Sequence, residues 1–248
     1  MVIGTATMLP VQQRRHGLLC LSTVAVSVFV MVLLAHSYRR ELHLATQAAN
    51  YPENYSTLNT DMERECLYKY LKDSQRYLEF GSGGSTFDAL KIMTGKNKVI
   101  YSVEGSESWC DYLKQYSIIR ENSKINKLHL ICVYIGPTTA WSYPLSNQMK
   151  ELFSNYYSIL HTDLAKTFDT VLIDGRFRVS CALEAVLTCN TNVRILIHDF
   201  PSRPTYHVVL KYLDVIDRAD DLYVFTIKKS INSTALSEDL QDYKYTVL

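Results

Sequence analysis

Acidic side chains, glycines and one histidine recur in this chain at spacings that suit a bound nucleotide-like ligand. The stretch Tyr77-Leu78-Glu79-Phe80-Gly81-Ser82-Gly83-Gly84-Ser85-Thr86 breaks an apolar run into a glycine-rich turn and then resumes at helical spacing. It reads as strand, loop and helix. The glycines let a ligand approach the backbone without Cβ atoms in the way. A helix starting near Thr86 aims unpaired N–H groups and its positive dipole end at the same point. About twenty residues on, the separation expected for the next strand of a nucleotide-binding βαβ unit, Val99-Ile100-Tyr101-Ser102-Val103 ends in Glu104. An acid at that strand end accepts hydrogen bonds from both ribose hydroxyls. The plainer alternative is a solvated carboxylate capping a helix that begins near Ser106.

Two later apolar runs end in residues that carry chemistry. Phe168-Asp169-Thr170-Val171-Leu172-Ile173 leads into Asp174-Gly175-Arg176-Phe177-Arg178, and Val193-Arg194-Ile195-Leu196-Ile197 leads into His198-Asp199. Two carboxylates brought together suit a hard Mg²⁺ ion with oxygen ligands, whereas zinc calls for more His or Cys. Without a metal, His198 is the candidate general base, with Asp199 or His207 behind it. Arg176 and Arg178, with Arg203 further on, present guanidinium forks that suit a carboxylate or phosphate. They could equally pair with Asp174 or Glu184 and face water. The run Ile135-Gly136-Pro137-Thr138-Thr139-Ala140-Trp141 is either a pocket wall or a tight turn with a packed indole.

A dinucleotide fingerprint begun at Gly81 needs its third glycine at position 86, where this chain has Thr86. The pattern Glu79-x-Gly81-x-Gly83-Gly84-Ser85 resembles instead the first motif of class I S-adenosylmethionine (SAM) dependent methyltransferases. The strand ends at Asp174-Gly175 and His198-Asp199 resemble those of small-molecule and sugar O-methyltransferases of the macrocin type. Together the resemblance covers roughly residues 75–200. It implies SAM with its methionine end at Glu79, the loop Gly81, Ser82, Gly83, Gly84 and Ser85 around it, the ribose on Glu104, and Asp174 alongside. It also implies a divalent metal, Mg²⁺, on Asp174 and Asp199, catalytic roles for His198, Asp199 and Asp174, and acceptor contacts from Arg176, Arg178 and Trp141. Arg176 and Phe177 stand where the relatives carry a second acid and a histidine.

The elements that must hold these residues alternate as an α/β sandwich requires. Helices are predicted over 63–71, 86–93 with Gly95 as its C′ residue, 108–116, 147–165, 178–187 and 206–216. Strands are predicted over 77–80, 99–103, 128–135, 170–173, 193–197, 222–227 and 243–247. The fold class expected is a Rossmann-like three-layer sandwich with a seven-stranded, mostly parallel sheet whose last hairpin is antiparallel.

Ahead of it, Gly17 to Ala35 is nineteen residues without a charge, between Arg14-Arg15 and Arg39-Arg40, long enough to cross a bilayer as a helix. The reading is a cytosolic tail over 1–16, a transmembrane signal anchor over 17–35, a polar stem over 36–62 and a methyltransferase-like domain over 63–248. A cleaved signal peptide is the rival. The domain then lies in the lumen of the secretory pathway, Golgi or ER, which sequons at Asn54 and Asn232 permit. Beyond the apolar span, 24 of the 26 Lys+Arg and all 25 Asp+Glu give a near-neutral domain. With no basic stretch interleaved with aromatics, nucleic acid is excluded as the partner. The cysteines show no C-x-x-C pair, leaving disulfides and buried thiols both open. Two other readings stand beside a transferase of methyl groups to a glycan or small hydroxylated acceptor. One is a luminal glycosyltransferase, for which no Asp-x-Asp ends a strand. The other is a non-catalytic binding module on the same fold.

Overall fold

The computed structural model describes Met31 and residues 60–247. The apolar span 17–35 apart from Met31, the tail, the stem up to 59 and Asn54 lie outside the described residues. Among the described residues no helix is long and apolar enough to cross a membrane. The chain divides into two units, Met1–Tyr51 and Pro52–Leu248, and the architecture is that of the second.

One seven-stranded sheet has the order β3-β2-β1-β4-β5-β7-β6. Its strands are β1 Arg76–Phe80, β2 Val99–Glu104, β3 Leu128–Cys132, β4 Thr170–Ile173, β5 Arg194–Ile197, β6 Leu213–Ala219 and β7 Leu222–Ile227. The first five run parallel, β7 is antiparallel to β5, and β6 is antiparallel to β7. The strand order reverses between β1 and β4, so the loops after those strands part and leave a crevice at their carboxyl ends.

Side-chain alternation along each strand supplies two apolar faces. Leu78, Phe80, Val171, Ile173, Ile195 and Ile197 join one cluster with α5 (Arg178–Thr188) and the 3-10 segments Asn147–His161 and Pro204–Lys211. Tyr77, Ile100 and Leu172 are fully buried on the opposite face, the side of α1 (Asp61–Asp73) and α2 (Gly84–Ile92). The remaining helices are α3 (Glu107–Leu113), α4 (Ser117–Lys124) and α6 (Ser233–Tyr243).

Helix α1 opens with a capping box between Thr60 and Glu63, and the same residues fasten it to the β6–β7 turn. Thr60 Oγ1 donates to Asp220 Oδ2 at 2.6 Å, and Glu63 Oε1 accepts from the Asp221 amide at 3.0 Å. A disulfide joins Cys110 in α3 to Cys132 at the end of β3. Cys66 and Cys181 are buried free thiols.

Several predicted elements are corrected. The expected helix over 206–216 is a 3-10 segment followed by β6, so the last hairpin pairs 213–219 with 222–227. Residues 243–247 are not a strand, and α6 ends there. Gly95 does not close α2, which stops at Ile92 with Met93 as its cap. The 147–165 helix is 3-10 rather than α and breaks at Thr162, while α4 was not foreseen.

Candidate active site

A cavity of about 860 Å³ opens at the switch point, lined by the loop 81–85, Glu104, α3, the loop 138–142 and residues 174–176. The loop is held from beneath by an unusual carboxylate. Glu79 is fully buried and takes four hydroxyl donors: Tyr77 and Ser85 at Oε2 (3.0 and 2.7 Å), Ser102 at Oε1 (2.6 Å) and Thr86 at the same oxygen. Burial pushes its pKa up, the four hydroxyls oppose that, and it settles at about 6. Thr86 Oγ1 also accepts the Gly83 amide at 2.9 Å. Both Glu79 oxygens are thus committed to hydroxyls, and Glu79 is not among the residues lining the cavity. The structure places Glu79 beneath the loop, where it holds Ser85 and Thr86, and not on the cavity wall where a ligand contact was expected.

The glycines divide their work. Gly81 has φ +98°, and a Cβ there would lie 2.8 Å from the Gly175 Cα and 2.9 Å from the Asp174 carbonyl carbon. A Cβ on Gly175 would in turn meet Tyr156 Oη at 2.0 Å. These two glycines let the loops after β1 and β4 touch backbone to backbone. A Cβ on Gly83 would meet nothing within 4 Å, so open space for a ligand lies over Gly83.

Glu104 points into this space from the end of β2. Its carboxylate accepts the Ser106 amide at 2.8 Å, the Ser82 amide at 3.3 Å and the Ser142 hydroxyl. Burial raises its pKa against those donors. Trp109 and Tyr112, three apart on α3, stack with centroids 4.9 Å apart, and the Trp109 indole N–H donates to the Ser82 carbonyl at 2.8 Å. Sequence reasoning missed both. The signal was an aromatic pair at helical spacing directly after Glu104. It missed Tyr156 and Ser142 as well, which line the same cavity.

The strand ends at β4 and β5 form an ionic knot instead of a metal site. Arg178, 5 % exposed at its side chain, places one guanidinium nitrogen 3.1 Å from Asp174 Oδ1 and another 3.0 Å from Asp199 Oδ2. It also donates to the carbonyls of Gly175 and His198. The guanidinium thus occupies the position between the two carboxylates that a divalent cation would need. The residues do not fit Mg²⁺, and among the described residues no group of three His, Cys, Asp or Glu could hold a metal ion. The acceptor contact expected of Arg178 is corrected on the same ground.

His198 is corrected too. Its Nδ1 lies 3.0 Å from Asp174 Oδ1 and its Nε2 3.3 Å from Glu63 Oε1. Burial would pull its pKa down, but the hydrogen bond to Asp174 and the charges of Asp174, Asp199 and Glu63 lift it to about 9. The imidazole is braced by a carboxylate on each side, and neither ring nitrogen is left for an acceptor hydroxyl. Neither His198 nor Asp199 lines the cavity, whereas Asp174 and Arg176 do. Burial pushes the Asp174 carboxyl up, and the His198 bond and Arg178 charge outweigh it, leaving Asp174 below its ordinary value. His207 faces the Phe200 carbonyl at 3.1 Å. Phe177 is wholly buried against Phe153 and Tyr156. Trp141 lines the cavity and stands 72 % exposed.

Among the described residues, four of the six non-glycine residues with positive φ sit here: Trp141, Ser142, Phe177 and Asp199. Such backbone costs about 1 kcal/mol or more per residue and persists where the surroundings impose it.

Several known structures resemble this chain. A methyltransferase-like protein from Silicibacter pomeroyi is 24 % identical with a TM-score of 0.68, over 78 % of this chain and 99 % of that one. A methyltransferase from Geobacter sulfurreducens is 8 % identical with a TM-score of 0.47, over 69 % of this chain and 82 % of that one. An O-methyltransferase from Bacillus cereus in complex with S-adenosylhomocysteine (SAH) is 12 % identical with a TM-score of 0.46, over 76 % of this chain and 90 % of that one. No protein-family model matches the chain, and no curated protein matches it. The likeness is one of fold: the chain shares the fold of the Silicibacter methyltransferase-like protein.

Proposed function

We propose that this chain is a SAM-dependent methyltransferase that modifies a hydroxyl of a glycan or small hydroxylated acceptor. The reading rests on the cavity at the switch point, where the Gly81–Ser85 loop, the open space over Gly83 and the Glu104 carboxylate face one volume. About 860 Å³ falls within the range of pockets that enclose a cofactor-sized ligand. SAM, when bound, supplies the methyl group as a sulfonium. Glu104 would hold the vicinal hydroxyls of its ribose in place of the Ser142 hydroxyl, and the stacked pair Trp109–Tyr112 would give an aromatic wall. Asp174 holds the proton of the acceptor hydroxyl, its carboxylate fixed by His198 and Arg178. A carboxylate of low pKa would suffice as the proton acceptor, with alignment supplying most of the advantage.

The chain is further proposed to be a single-pass membrane protein anchored by 17–35, with its domain in the secretory lumen. The Cys110–Cys132 bond supports an oxidising compartment, and exposed Asn232 remains the glycosylation candidate of the described part. Protease treatment of intact microsomes tests this: digestion of the domain without detergent would overturn it.

Calorimetry of the full chain with SAM, NAD and UDP-sugars in turn tests the activity class. Binding heat with SAM alone is expected, and heat only with NAD or a UDP-sugar ends the reading. SAM binding without transfer to any hydroxylated acceptor would favour a binding module.

A further inference from the structure

Two arginines follow β4 within three residues, and their situations differ. Arg178 is saturated by Asp174, Asp199 and three carbonyls. Arg176 is 8 % exposed, lines the cavity, and has no carboxylate within 4 Å among the described residues. Its Nε is buried without a hydrogen-bond partner. A guanidinium taken out of water this far and left with an idle donor is costly unless a ligand completes it.

The charges around it point to the ligand's sign and size. Arg178, Arg203 and His198 are taken up by Asp174, Asp199 and Glu63, whereas Arg176 forms no such ion pair among the described residues. Glu104, which lines the same cavity, suits hydroxyl donors. The Arg176 guanidinium lies over the Tyr143 ring at 4.1 Å, which fixes its plane and shields one face. A planar fork with a fixed plane and no carboxylate partner of its own matches the two oxygens of a carboxylate on the ligand.

We propose that Arg176 reads a carboxylate on the acceptor, so that the substrate class is a hydroxy acid of the uronate type. The hydroxyl to be methylated would lie on the Asp174 side of that carboxylate, with Trp141 over the ring at the mouth. This deepens the methyltransferase reading and rests on it.

Ligand-observed NMR on the full chain in detergent, with SAH present, tests the idea using methyl glucuronoside, methyl glucoside and glucose 6-phosphate. The uronoside is expected to bind about tenfold to a hundredfold more tightly than the glucoside, the range of one charge-assisted bond to a buried group. Arg176→Gln should erase that difference and Arg176→Lys restore part of it, both leaving SAH affinity within about twofold. Equal binding of uronoside and glucoside by the wild-type chain overturns the proposal whether or not the variants fold. Preference for the phosphate overturns the carboxylate assignment. Loss of SAH binding in Arg176→Gln at an unchanged melting temperature overturns it as well, by giving Arg176 to the cofactor. Failure of the wild-type chain to bind SAH or SAM refutes the methyltransferase reading itself, an outcome distinct from these.

Discussion

His198 and Glu104 both stand out in the sequence, and the fold puts them in different places: Glu104 lines the cavity and His198 does not. The folded pKa of His198, about 9, lies above its ordinary value of 6.5. Its contribution to stability is therefore fully present below about pH 6.5 and is lost as pH rises through about 9. Its size is on the order of 3 kcal/mol, since each pKa unit corresponds to about 1.4 kcal/mol. His198→Gln should lower the melting temperature most at pH 6, with the gap to wild type narrowing by pH 9.5. A gap that does not change with pH would refute this linkage. Glu104→Gln should weaken SAM binding about tenfold or more, and Ser142→Ala should strengthen it a few-fold by removing a competing hydroxyl. Titration calorimetry on both variants decides. Glu104 was readable because strand end and spacing define it. Glu79 was misread because a motif gives position without direction. Alternation along β1 puts it on the face of Tyr77, under the loop. His198 was misread because its second partner, Glu63, lies 135 residues earlier in the chain.

The elements tell a similar story about what local pattern carries. Strands β1, β2, β4 and β5 are buried along nearly their whole length and read as apolar runs, so they were found. Strand β6 is the sheet's outer strand, buried only at its two ends, with Val215 and Ile216 exposed. It shows no period of two, and its spacing passed for a continuation of the preceding helical turn. The loops between strands invite a sharper test. Gly175→Ala should destabilise the domain by about 2 kcal/mol or more, since the new methyl would overlap Tyr156 Oη. Gly83→Ala should leave the denaturation midpoint within about 0.5 kcal/mol of wild type yet weaken SAM binding. If Gly83→Ala leaves SAM affinity unchanged, the space above Gly83 is not the cofactor's.

For the whole molecule, the covalent link between Cys110 and Cys132 ties the aromatic wall of the cavity to β3. Their separation of 22 residues closes a loop whose constraint is worth about 3 kcal/mol on the chain-entropy account. Cys132→Ala, or reduction of the wild type, should lower stability by about that amount and loosen SAM binding together with it. Urea titration and calorimetry on the same sample would read both. No spacing rule singles out this pair among the cysteines. Only the packing of α3 against β3 brings them together.

The backbone contact of Gly81 with Gly175 has a kinetic meaning. Two strand-end loops in backbone contact make a closely packed floor. On the methyltransferase reading, the cofactor would pass on the facing side, by the short ribbon closed by the Thr138–Pro144 bridge that carries Trp141. Turnover speed would be governed by how readily that ribbon swings aside, so stiffening it should slow release while the bond-making step stays as fast as before.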